Sequence, residues 1–504
     1  MKKTDLSNLA IKRLAIANRG EVAVRIIKAC EELGIETVLL HSDADINSRA
    51  YRMADHKVCI GGSTPAESYL NIKSNIQGAK AKNADAIHPG FGFLSENADF
   101  AKACVDAGMI FVGPSENAIR SLGDKVHCKE LAKKCGIPLV PGYEGDDQTV
   151  ETLSKEAARI GYPCIVKAAA GGGGRGMKLI TQASEARERI ESAQRESLSA
   201  FGSSKVFLEK YLDRAKHIEF QVFGDSIGKV RHLFERECSV QRRHQKIIEE
   251  ATSPSLTPEL RRKMGEAATL IAQTAGYRSA GTVEFLFQDG EFFLLEVNTR
   301  LQVEHPVTEM VLGIDLVKAQ ILNACQSFVF SEDQYKSFQG HSIECRVYAE
   351  NSYEGGMPST GRLGHVHFPE GPGRRFEYGF EEDDVITSFY DPMIAKVIVW
   401  DESRPRAIQK MIEVLNQSVI FGVHTNIPYL KAILSHPEFI AGTMTTQFIS
   451  KYFSEPLKPP SREPEVDAFV DEIKKQMGKS AWAVKSTATN GGYQNPWSEQ
   501  WRMW

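Results

Sequence analysis

The sequence predicts a multidomain protein of α/β and α+β class, with a doubly wound parallel sheet in its first domain. The chain has 504 residues, enough for roughly two to four domains with cores of their own. Residues 11–122 alternate strand and helix patterns, which is typical of a parallel sheet covered by helices. Residues 281–297 contain two consecutive strand-like runs, which predict an antiparallel hairpin in a later domain.

Composition limits the class of protein. The formal net charge is −4, so the overall charge gives no reason to expect nucleic acid or a membrane as partner. No apolar run approaches the length of a membrane span, and the N-terminus lacks the apolar core of a signal peptide. The nine cysteines show no C-x-x-C spacing, which favours reduced thiols in a cytoplasmic protein over disulfides or structural zinc.

The first domain follows from its repeating pattern. Strands are predicted at 13–18, 37–43, 84–90 and 110–115, with a helix at 21–34 that ends at Gly34. Ligands of such sheets bind at the carboxyl ends of the strands. The loop HPGFGFLSEN is therefore either a site loop or an ordinary glycine-rich connection. Asn18-Arg19-Gly20 lacks the G-x-G-x-x-G fingerprint, so no dinucleotide site is predicted.

A glycine-rich segment follows in the next part of the chain. PCIVKAAAGGGGRGMKLI (163–180) reads as two apolar strands joined by four consecutive glycines, Arg175 and Gly176. Ordering four glycines is entropically costly, and it is expected where backbone N–H groups approach phosphates closely. Lys167 can reach the same anion, whereas no G-K-[ST] sequence opens a helix as a Walker A motif would. A phosphate-binding flap is favoured over a surface linker, since apolar strands flank the glycines.

A polar cluster occupies the chain before the hairpin. ECSVQRRHQKIIEEA (237–251) combines basic and amide side chains, among them Gln241, His244 and Lys246. Alone such a run is typical of a solvated face, and it gains significance only beside an anion site. His217 and Glu219 are predicted on a strand just upstream, where a lone histidine is more often structural than catalytic.

The hairpin predicts a metal site. Strands at 281–287 and 291–297 flank Gln288-Asp289-Gly290, which suits a three-residue loop. In that register Leu294 lies opposite Glu284, and Glu296 is a diagonal neighbour on the same face. Two adjacent carboxylates stay ionised if a cation such as Mg²⁺ or Mn²⁺ lies between them. A two-residue Asp-Gly turn would put the two carboxylates on opposite faces, and they could also be solvated surface groups.

The row EVNTRLQVE continues this polar face. Glu296, Asn298, Arg300, Gln302 and Glu304 alternate with other residues, so an extended chain would present them on one side. Two carboxylates, two amides and a guanidinium suit a site that holds a metal and an anion together. The alternation is expected to end near Thr299, where the chain turns to wrap the anion.

Seven motifs, in order along the chain, resemble those of biotin carboxylase, the ATP-grasp component of biotin-dependent carboxylases. They are NRGEVAVRI, HPGFGFLSEN, KAAAGGGGRGM, ECSVQRRHQK, GTVEFLF, EVNTRLQVEHPVTE and HSIECRVYAE, and the similarity runs from about residue 11 to 453. The resemblance implies a Rossmann-like N-terminal domain (1–125), an ATP-grasp domain (126–340) with a mobile glycine-rich lid at about 140–212, a C-terminal biotin carboxylase domain (341–453), and a linker with a Trp-rich tail (454–504).

The resemblance also implies site residues. The ATP-binding residues would be Lys125, Lys167, Gly173, Gly174, Met177, Glu209, Lys210, Tyr211, Leu212, His217, Gln241, His244 and Leu286. The metal ligands would be Glu284, Glu296 and Asn298. Bicarbonate would be held by Lys246, Arg300, Gln302 and the backbone of Val303. Glu304 would be the base that deprotonates bicarbonate, and Arg346 would bind the ureido oxygen of biotin and stabilise its enolate form.

The chemistry of the family fits these residue types. ATP and one or two Mg²⁺ or Mn²⁺ ions would activate bicarbonate as carboxyphosphate, and biotin on a carrier protein would accept the carboxyl group. Because carboxyphosphate hydrolyses, the glycine flap would have to exclude water. One position departs from the family: Phe91 replaces the usual tyrosine of the HPGYGFLSEN loop, which changes the expected contacts with biotin.

The sequence holds no biotinyl motif and no carboxyltransferase domain, so the expected partners are a biotin carboxyl carrier protein and a carboxyltransferase subunit, with a homodimer implied by the family. The final acceptor, acetyl-CoA, propionyl-CoA, another acyl-CoA or pyruvate, is left open. Three alternatives also remain: another ATP-grasp ligase, a nucleotide-binding relative without catalysis, and an assembly subunit recruited through the tail. Four of the five tryptophans lie in that tail, which either docks on a partner or is unstructured.

Overall fold

The computed structural model describes residues 9–168, 177–243, 245–331 and 334–459. Gly173, Gly174 and His244, together with the tail from residue 460 onward, lie outside the described residues. No helix within these ranges is long and apolar enough to cross a bilayer.

The first domain is a five-stranded parallel sheet with helices on both faces. Its elements are β1 (Arg13–Ile16), α1 (Gly20–Leu33), β2 (Glu36–Ser42), α2 (Arg49–Met53), β3 (His56–Gly61), α3 (Ile72–Ala81), β4 (Ala86–His88), α4 (Ala98–Asp106), β5 (Ile110–Phe111) and α5 (Glu116–Gly123). The strand order is β3-β2-β1-β4-β5. Leu14 and Ile16 pack in one apolar cluster and Ala15 and Ala17 in another, as alternation in a strand buried on both faces requires. The predicted doubly wound domain is confirmed, although β3 was not predicted.

A small antiparallel sheet follows, and it carries the glycine-rich segment. Its elements, with the helix that precedes them, are α6 (Lys125–Lys134), β6 (Gly142–Tyr143), α7 (Val150–Ile160), β7 (Cys164–Ala168), β8 (Lys178–Ile180), α8 (Ala183–Phe201) and β9 (Val206–Lys210). The strand order is β6-β9-β7-β8. Cys164 pairs with Ile180 and Val166 with Lys178, so the strands on either side of the glycines form the predicted hairpin.

The rest of the chain is organised around one eight-stranded sheet. Its first five strands in sequence, with the helices between and after them, are β10 (Lys216–Gly224), β11 (Val230–Arg242), β12 (Gln245–Ala251), α9 (Pro258–Thr274), β13 (Ser279–Gln288), β14 (Glu291–Asn298), α10 (His305–Leu312) and α11 (Leu316–Ala324). The later elements are β15 (His341–Tyr348), β16 (Glu350–Asn351), β17 (Met357–Pro358), β18 (Gly361–Arg362), β19 (His365–His367), β20 (Arg374–Tyr378), β21 (Val385–Ile386), β22 (Met393–Asp401), α12 (Arg404–Gln417), β23 (Val419–Phe421), α13 (Ile427–Leu434), α14 (Pro437–Ala441) and α15 (Phe448–Tyr452).

This sheet is continuous across the boundary expected near residue 340. Its strand order is β14-β13-β10-β11-β12-β15-β22-β20. β12 pairs with β15 through Ile248 with Cys345 and Glu249 with Glu344. Side chains of the central and C-terminal parts of the chain therefore lie on neighbouring strands of one rigid element.

The hairpin of β13 and β14 corrects the predicted loop. Gln288 pairs with Glu291, and both Asp289 and Gly290 have positive φ, so the turn has two residues and not three. Such a turn alone would put the two carboxylates on opposite faces. A bulge at Leu295 adds one residue to β14 and reverses the alternation, so that Glu296 lies directly opposite Glu284. Leu294 pairs with Phe285, not with Glu284 as predicted.

A buried arginine fastens this sheet to α10. The side chain of Arg236, on β11, is fully buried. Its Nε donates to Glu219 Oε1 at 2.6 Å, and Nη1 donates to Gln221 Oε1 at 2.7 Å and to Thr308 Oγ1 at 3.0 Å. Nη2 donates to Thr282 Oγ1 at 3.0 Å. The guanidinium thus joins three neighbouring strands to the helix that follows the polar row.

We expect Arg236→Met to lower the free energy of unfolding in urea by about 3–5 kcal/mol, because it leaves the Glu219 carboxylate buried and without its guanidinium. Arg262→Met is the matched control, since Arg262 is exposed and its ion pair is with Glu266, one helical turn away. Equal stability of the two variants in circular dichroism titrations would contradict the role given to Arg236.

Candidate active site

Two adjoining clefts lie along the larger sheet. The first has a volume of about 950 Å³ and the second about 830 Å³. His217, Gln241 and Leu295 line both of them. A molecule in the first cleft can therefore reach a group held in the second.

The first cleft is lined by most of the residues expected to bind ATP. These are Lys167, Met177, Glu209, Lys210, Tyr211, Leu212, His217, Gln241 and Leu286. Lys125 is exposed at the start of α6 and lines neither cleft. Gly173, Gly174 and His244 lie outside the described residues.

Glu209 organises the lysines of the first cleft. Its carboxylate forms ion pairs with Lys167 and with Lys129, the latter at 3.0 Å. Burial acts to raise the pKa of Glu209, but the two ammonium groups outweigh it and lower that pKa to about 2. The Lys210 ammonium instead donates to the carbonyls of Gly161 and Tyr162. Glu209 thus holds Lys167 at the wall of the cleft.

The centre of the second cleft is the ammonium of Lys246, on β12. It donates to Glu284 Oε1 at 2.8 Å, to Glu304 Oε1 at 2.7 Å, and to Glu219. Glu219 and Glu304 are fully buried, and Glu284 is nearly so. Burial opposes the charged form of Lys246, but the three carboxylates outweigh it and raise the pKa of Lys246 well above its usual value. One cation therefore neutralises part of a buried cluster of negative charge.

Glu284 and Glu296 form the candidate metal end. Glu284 Oε1 also accepts from Asn298 at 2.9 Å, and Glu284 Oε2 lies 2.9 Å from His217 Nε2. Burial acts to raise the pKa of Glu284, yet Lys246 and His217 lower it. Glu296 has the opposite shift: burial and the charge of Glu284 raise its pKa.

The donor set at this end fits a divalent cation. Within the described part of the chain, the Glu296 carboxylate accepts no hydrogen bond and forms no ion pair within 4 Å, and Lys125, His217 and Lys246 act on it through their charges at longer range. A cation between the two carboxylates would remove the repulsion that raises the pKa of Glu296, and oxygen ligands suit Mg²⁺. His217, Glu219 and Glu284 also bring ligand atoms within 4.8 Å of one another. His217 and Glu219 therefore lie beside the predicted metal ligands, although neither was predicted to be a ligand.

The loop 299–304 presents Arg300. β14 ends at Asn298, so the alternation stops where it was expected to stop. The Arg300 guanidinium donates to Asn298 Oδ1 at 2.9 Å, to Gln302 Oε1 at 2.7 Å, and to Glu96 Oε2 at 2.8 Å. Glu96 Oε1 accepts from the backbone N–H of Thr299. A carboxylate of the first domain therefore holds both the arginine and the start of its loop.

Glu304 lies between two cations. Its Oε1 accepts from Lys246, and its Oε2 accepts from Arg346 Nη2 at 2.9 Å. Burial acts to raise the pKa of Glu304, but Lys246, Arg346 and Arg236 lower it well below the ordinary range. Arg346 also forms an ion pair with Glu249 at 2.6 Å. Glu304 is therefore ionised at neutral pH.

The loop HPGFGFLSEN forms part of the second cleft. Phe91, Gly92 and Phe93 line it. Asn18 Nδ2 donates to the carbonyls of Pro89 and Phe91 at 2.7 Å each, which fastens the loop to the end of β1. Gly90 has φ +62, and a Cβ there would lie 2.8 Å from Asn18 Nδ2. The glycine is needed at this position.

Sequence reasoning missed five side chains that hold the site together. They are Glu96, Lys129, Glu219, Arg236 and Glu249. Glu96 and Glu219 lie in segments that the sequence had singled out, and alternation from His217 places Glu219 on the same face. Lys129 is one helical turn after Lys125, which is a weak signal. Glu249 also lies in a singled-out segment, 237–251, but it and Arg236 read as ordinary charged residues.

Three family models match successive parts of the chain. They are "Biotin carboxylase, N-terminal domain" over residues 10–119, "Carbamoyl-phosphate synthase L chain, ATP binding domain" over residues 124–326, and "Biotin carboxylase C-terminal domain" over residues 344–451.

Individual proteins are similar over nearly the same span. The biotin carboxylase of Nostoc sp. is 46% identical over 441 residues, which cover 87% of this chain and 98% of that protein. The mitochondrial methylcrotonoyl-CoA carboxylase subunit alpha of Dictyostelium discoideum is 46% identical over 447 residues, covering 88% of this chain and 64% of that subunit. The chain thus spans less than two thirds of the length of that relative.

A solved structure is similar in fold. It is the biotin carboxylase domain dimer of the 2-oxoglutarate carboxylase of Hydrogenobacter thermophilus, in complex with MgADP, ADP and bicarbonate. The TM-score is 0.82 at 42% identity, covering 88% of this chain and 98% of that one. Together with the full-length match to the Nostoc protein, this shows that the chain belongs to the biotin carboxylase family of ATP-grasp ligases.

Proposed function

We propose that the chain uses ATP and bicarbonate to carboxylate biotin on a carrier protein, through carboxyphosphate. The observation that carries the proposal is the common wall of the two clefts, formed by His217, Gln241 and Leu295. A nucleotide in the first cleft would then lie next to the cluster of Lys246, Arg300 and Glu304 in the second. Transfer of a phosphoryl group requires the donor and the acceptor to be close together.

The nucleotide would occupy the first cleft. Lys167 would contact its phosphates, and Glu209 would keep that lysine in place. Met177 and Leu286 supply apolar walls for the base. The related Hydrogenobacter domain was solved with MgADP, which supports a nucleotide complex of this kind.

Glu284 and Glu296, with Asn298, would hold Mg²⁺, or Mn²⁺ in its place. When bound, the ion neutralises charge on the phosphates as they separate. Glu284 contributes an ionised carboxylate already fixed by Lys246 and Asn298. Glu296 would contribute a carboxylate that accepts no hydrogen bond from the described residues. A second ion would share the same pair of carboxylates.

Bicarbonate would occupy the second cleft between Arg300 and Lys246, with Gln302 and the backbone of Val303 as further contacts. Glu304 would take its proton. The ionised form of Glu304 is the one that a base needs, and its low pKa makes it a weak base while Lys246 and Arg346 pair with it. Bicarbonate that draws Lys246 away from Glu304 would raise the pKa of Glu304 and so make it a stronger base when bicarbonate is bound.

Biotin would enter from the side of the loop HPGFGFLSEN. Arg346 also lines the second cleft and would bind the ureido oxygen, where negative charge develops. Its pairing with Glu304 brings the biotin and bicarbonate positions together. Phe91 offers a ring without the hydroxyl of the usual tyrosine, so the contact at this position is apolar.

The partners and the compartment follow from the same proposal. A biotin carboxyl carrier protein and a carboxyltransferase would complete the enzyme. The carboxyltransferase would select the final carboxyl acceptor: acetyl-CoA, propionyl-CoA, another acyl-CoA or pyruvate. A homodimer is consistent with the dimer named for the Hydrogenobacter domain. All nine cysteines carry free thiols, which supports a reducing compartment such as the cytoplasm.

The proposal is tested by ADP formation with purified protein and free biotin. We expect ADP formation that requires bicarbonate and rises when biotin is added. ADP formation that ignores both compounds would contradict the proposal and would favour a different ATP-grasp ligase.

We expect Arg300→Ala to reduce biotin-dependent ADP formation by roughly 100-fold or more, because the bicarbonate oxygens lose a charged donor. The affinity for ATP should change little, since Arg300 does not line the first cleft. Arg362→Ala is the control, an exposed arginine on β18. Near-normal carboxylation of biotin by Arg300→Ala would rule out its proposed role.

We expect Glu296→Gln to raise the Mg²⁺ concentration needed for half-maximal activity, because an amide is a weaker ligand than a carboxylate. Glu291→Gln is the matched control, on the same strand but exposed at the turn. Titration of ADP formation with Mg²⁺ measures both. An unchanged Mg²⁺ requirement in Glu296→Gln would show that Glu296 is no ligand.

A further inference from the structure

A buried lysine contacts the loop that carries the proposed bicarbonate site. Lys396, on β22, has a fully buried side chain. Its ammonium donates to the backbone carbonyl of Val303 at 2.9 Å and forms an ion pair with Glu377 Oε2 at 2.6 Å. Glu21 Oε2 lies 3.5 Å away, and the centre of the Phe91 ring lies 5.9 Å away. Neither the motifs nor the proposed chemistry gave this lysine a role.

The four groups around Lys396 come from four separate parts of the fold. Glu21 is on α1, Phe91 is in the loop HPGFGFLSEN, Val303 is in the loop 299–304, and Glu377 is on β20. Glu21, Phe91 and Val303 all line the second cleft. One ammonium group is therefore hydrogen-bonded to the wall at Val303 and lies close to the walls at Glu21 and Phe91.

Lys396 is itself held firmly. Burial acts to lower its pKa, but Glu21 and Glu377 outweigh burial and raise the pKa, so the side chain is charged. Glu377 in turn accepts from Arg375 Nε at 3.0 Å, which keeps the carboxylate from following the lysine. The strand that carries Lys396, β22, is also fixed, because Lys396 pairs in register with Arg346 on β15. The donor is thus anchored from the sheet side.

We propose that Lys396 is a positioning residue of the bicarbonate site, which sets the Val303–Glu304 peptide through its hydrogen bond to the Val303 carbonyl. The inference rests on the proposed function. A peptide unit is planar, so the carbonyl of Val303 and the N–H of Glu304 turn together. Lys396 therefore controls the backbone of the residue that would hold bicarbonate and the direction from which the Glu304 side chain enters the cleft.

We expect Lys396→Met to lower kcat/KM for bicarbonate by about 100-fold, the loss typical of a displacement of about 1 Å at reacting groups. KM for ATP should stay within about twofold of the unchanged protein, because the nucleotide contacts are not among the groups that Lys396 fixes. Initial rates of ADP formation, with bicarbonate and ATP varied separately in the presence of biotin, give both constants.

Two further variants separate positioning from general damage. Lys410→Met is the matched control. Lys410, on α12, also donates to a backbone carbonyl, that of Trp400, and forms an ion pair with Asp401. Both partners lie at the C-terminal end of β22, away from the second cleft. Lys410→Met should leave kcat/KM for bicarbonate unchanged. Glu377→Gln keeps Lys396 but weakens its anchor, and should lower kcat/KM for bicarbonate by less than Lys396→Met does, with KM for ATP unchanged. It serves as the test if Lys396→Met does not fold.

The outcomes distinguish this inference from the proposed function. Bicarbonate-dependent ADP formation by the unchanged protein tests the function alone. If that activity is present, a folded Lys396→Met variant with normal kcat/KM for bicarbonate overturns the positioning role. A large rise in KM for ATP, or the same loss of kcat/KM for bicarbonate in Lys410→Met, also overturns it, because either result indicates non-specific loss of structure.

Discussion

The ammonium of Lys246, shared among three carboxylates, is the interaction on which the site depends. It touches Glu219, Glu284 and Glu304, which would otherwise place three negative charges against one another in a medium of low dielectric. Arg236 neutralises Glu219 from the other side, and Arg346 does so for Glu304. With these cations in place Glu284 and Glu304 stay ionised, whereas burial and the neighbouring carboxylates raise the pKa of Glu219 and of Glu296. A single lysine thus ties the metal end of the cleft to its anion end.

The sheet explains how so many charges reach one place. Six neighbouring strands each supply a side chain to the site or its support, in the spatial order Glu296, Glu284, His217, Gln241, Lys246 and Arg346. Across the sheet, the expected metal ligands come first, the residues of the wall between the clefts follow, and the expected biotin contact comes last. Side chains on adjacent strands of one sheet keep their spacing far better than side chains on loops. The loops contribute Arg300 and Glu304, and each is held by a carboxylate or a cation from elsewhere in the fold.

Much of this could be predicted from the sequence, for physical reasons that differ by element. The strands of the first domain are apolar and short, so periodicity found β1, β2, β4 and β5, whereas β3 is a half-exposed strand at the sheet edge without a clear pattern. Polar alternation from Glu296 to Glu304 indicated a metal beside an anion, and the family motifs gave individual roles. The predicted three-residue hairpin turn was wrong. The two carboxylates still lie on one face because of the bulge at Leu295, and a bulge leaves no mark in composition. Lys129, Arg236 and Glu249 escaped because a charged residue reveals its partner only when the chain is folded.

The bulge at Leu295 has a consequence for how this hairpin can change over time. It separates the register at the tip, where Gln288 meets Glu291, from the register at the carboxylates, where Glu284 meets Glu296. A residue inserted at the tip can be absorbed by relaxing the extra residue in β14, without parting the two carboxylates. The tip is therefore where evolution or protein engineering can alter chain length, whereas a deletion on the other side of the bulge would exchange the faces of every ligand that follows.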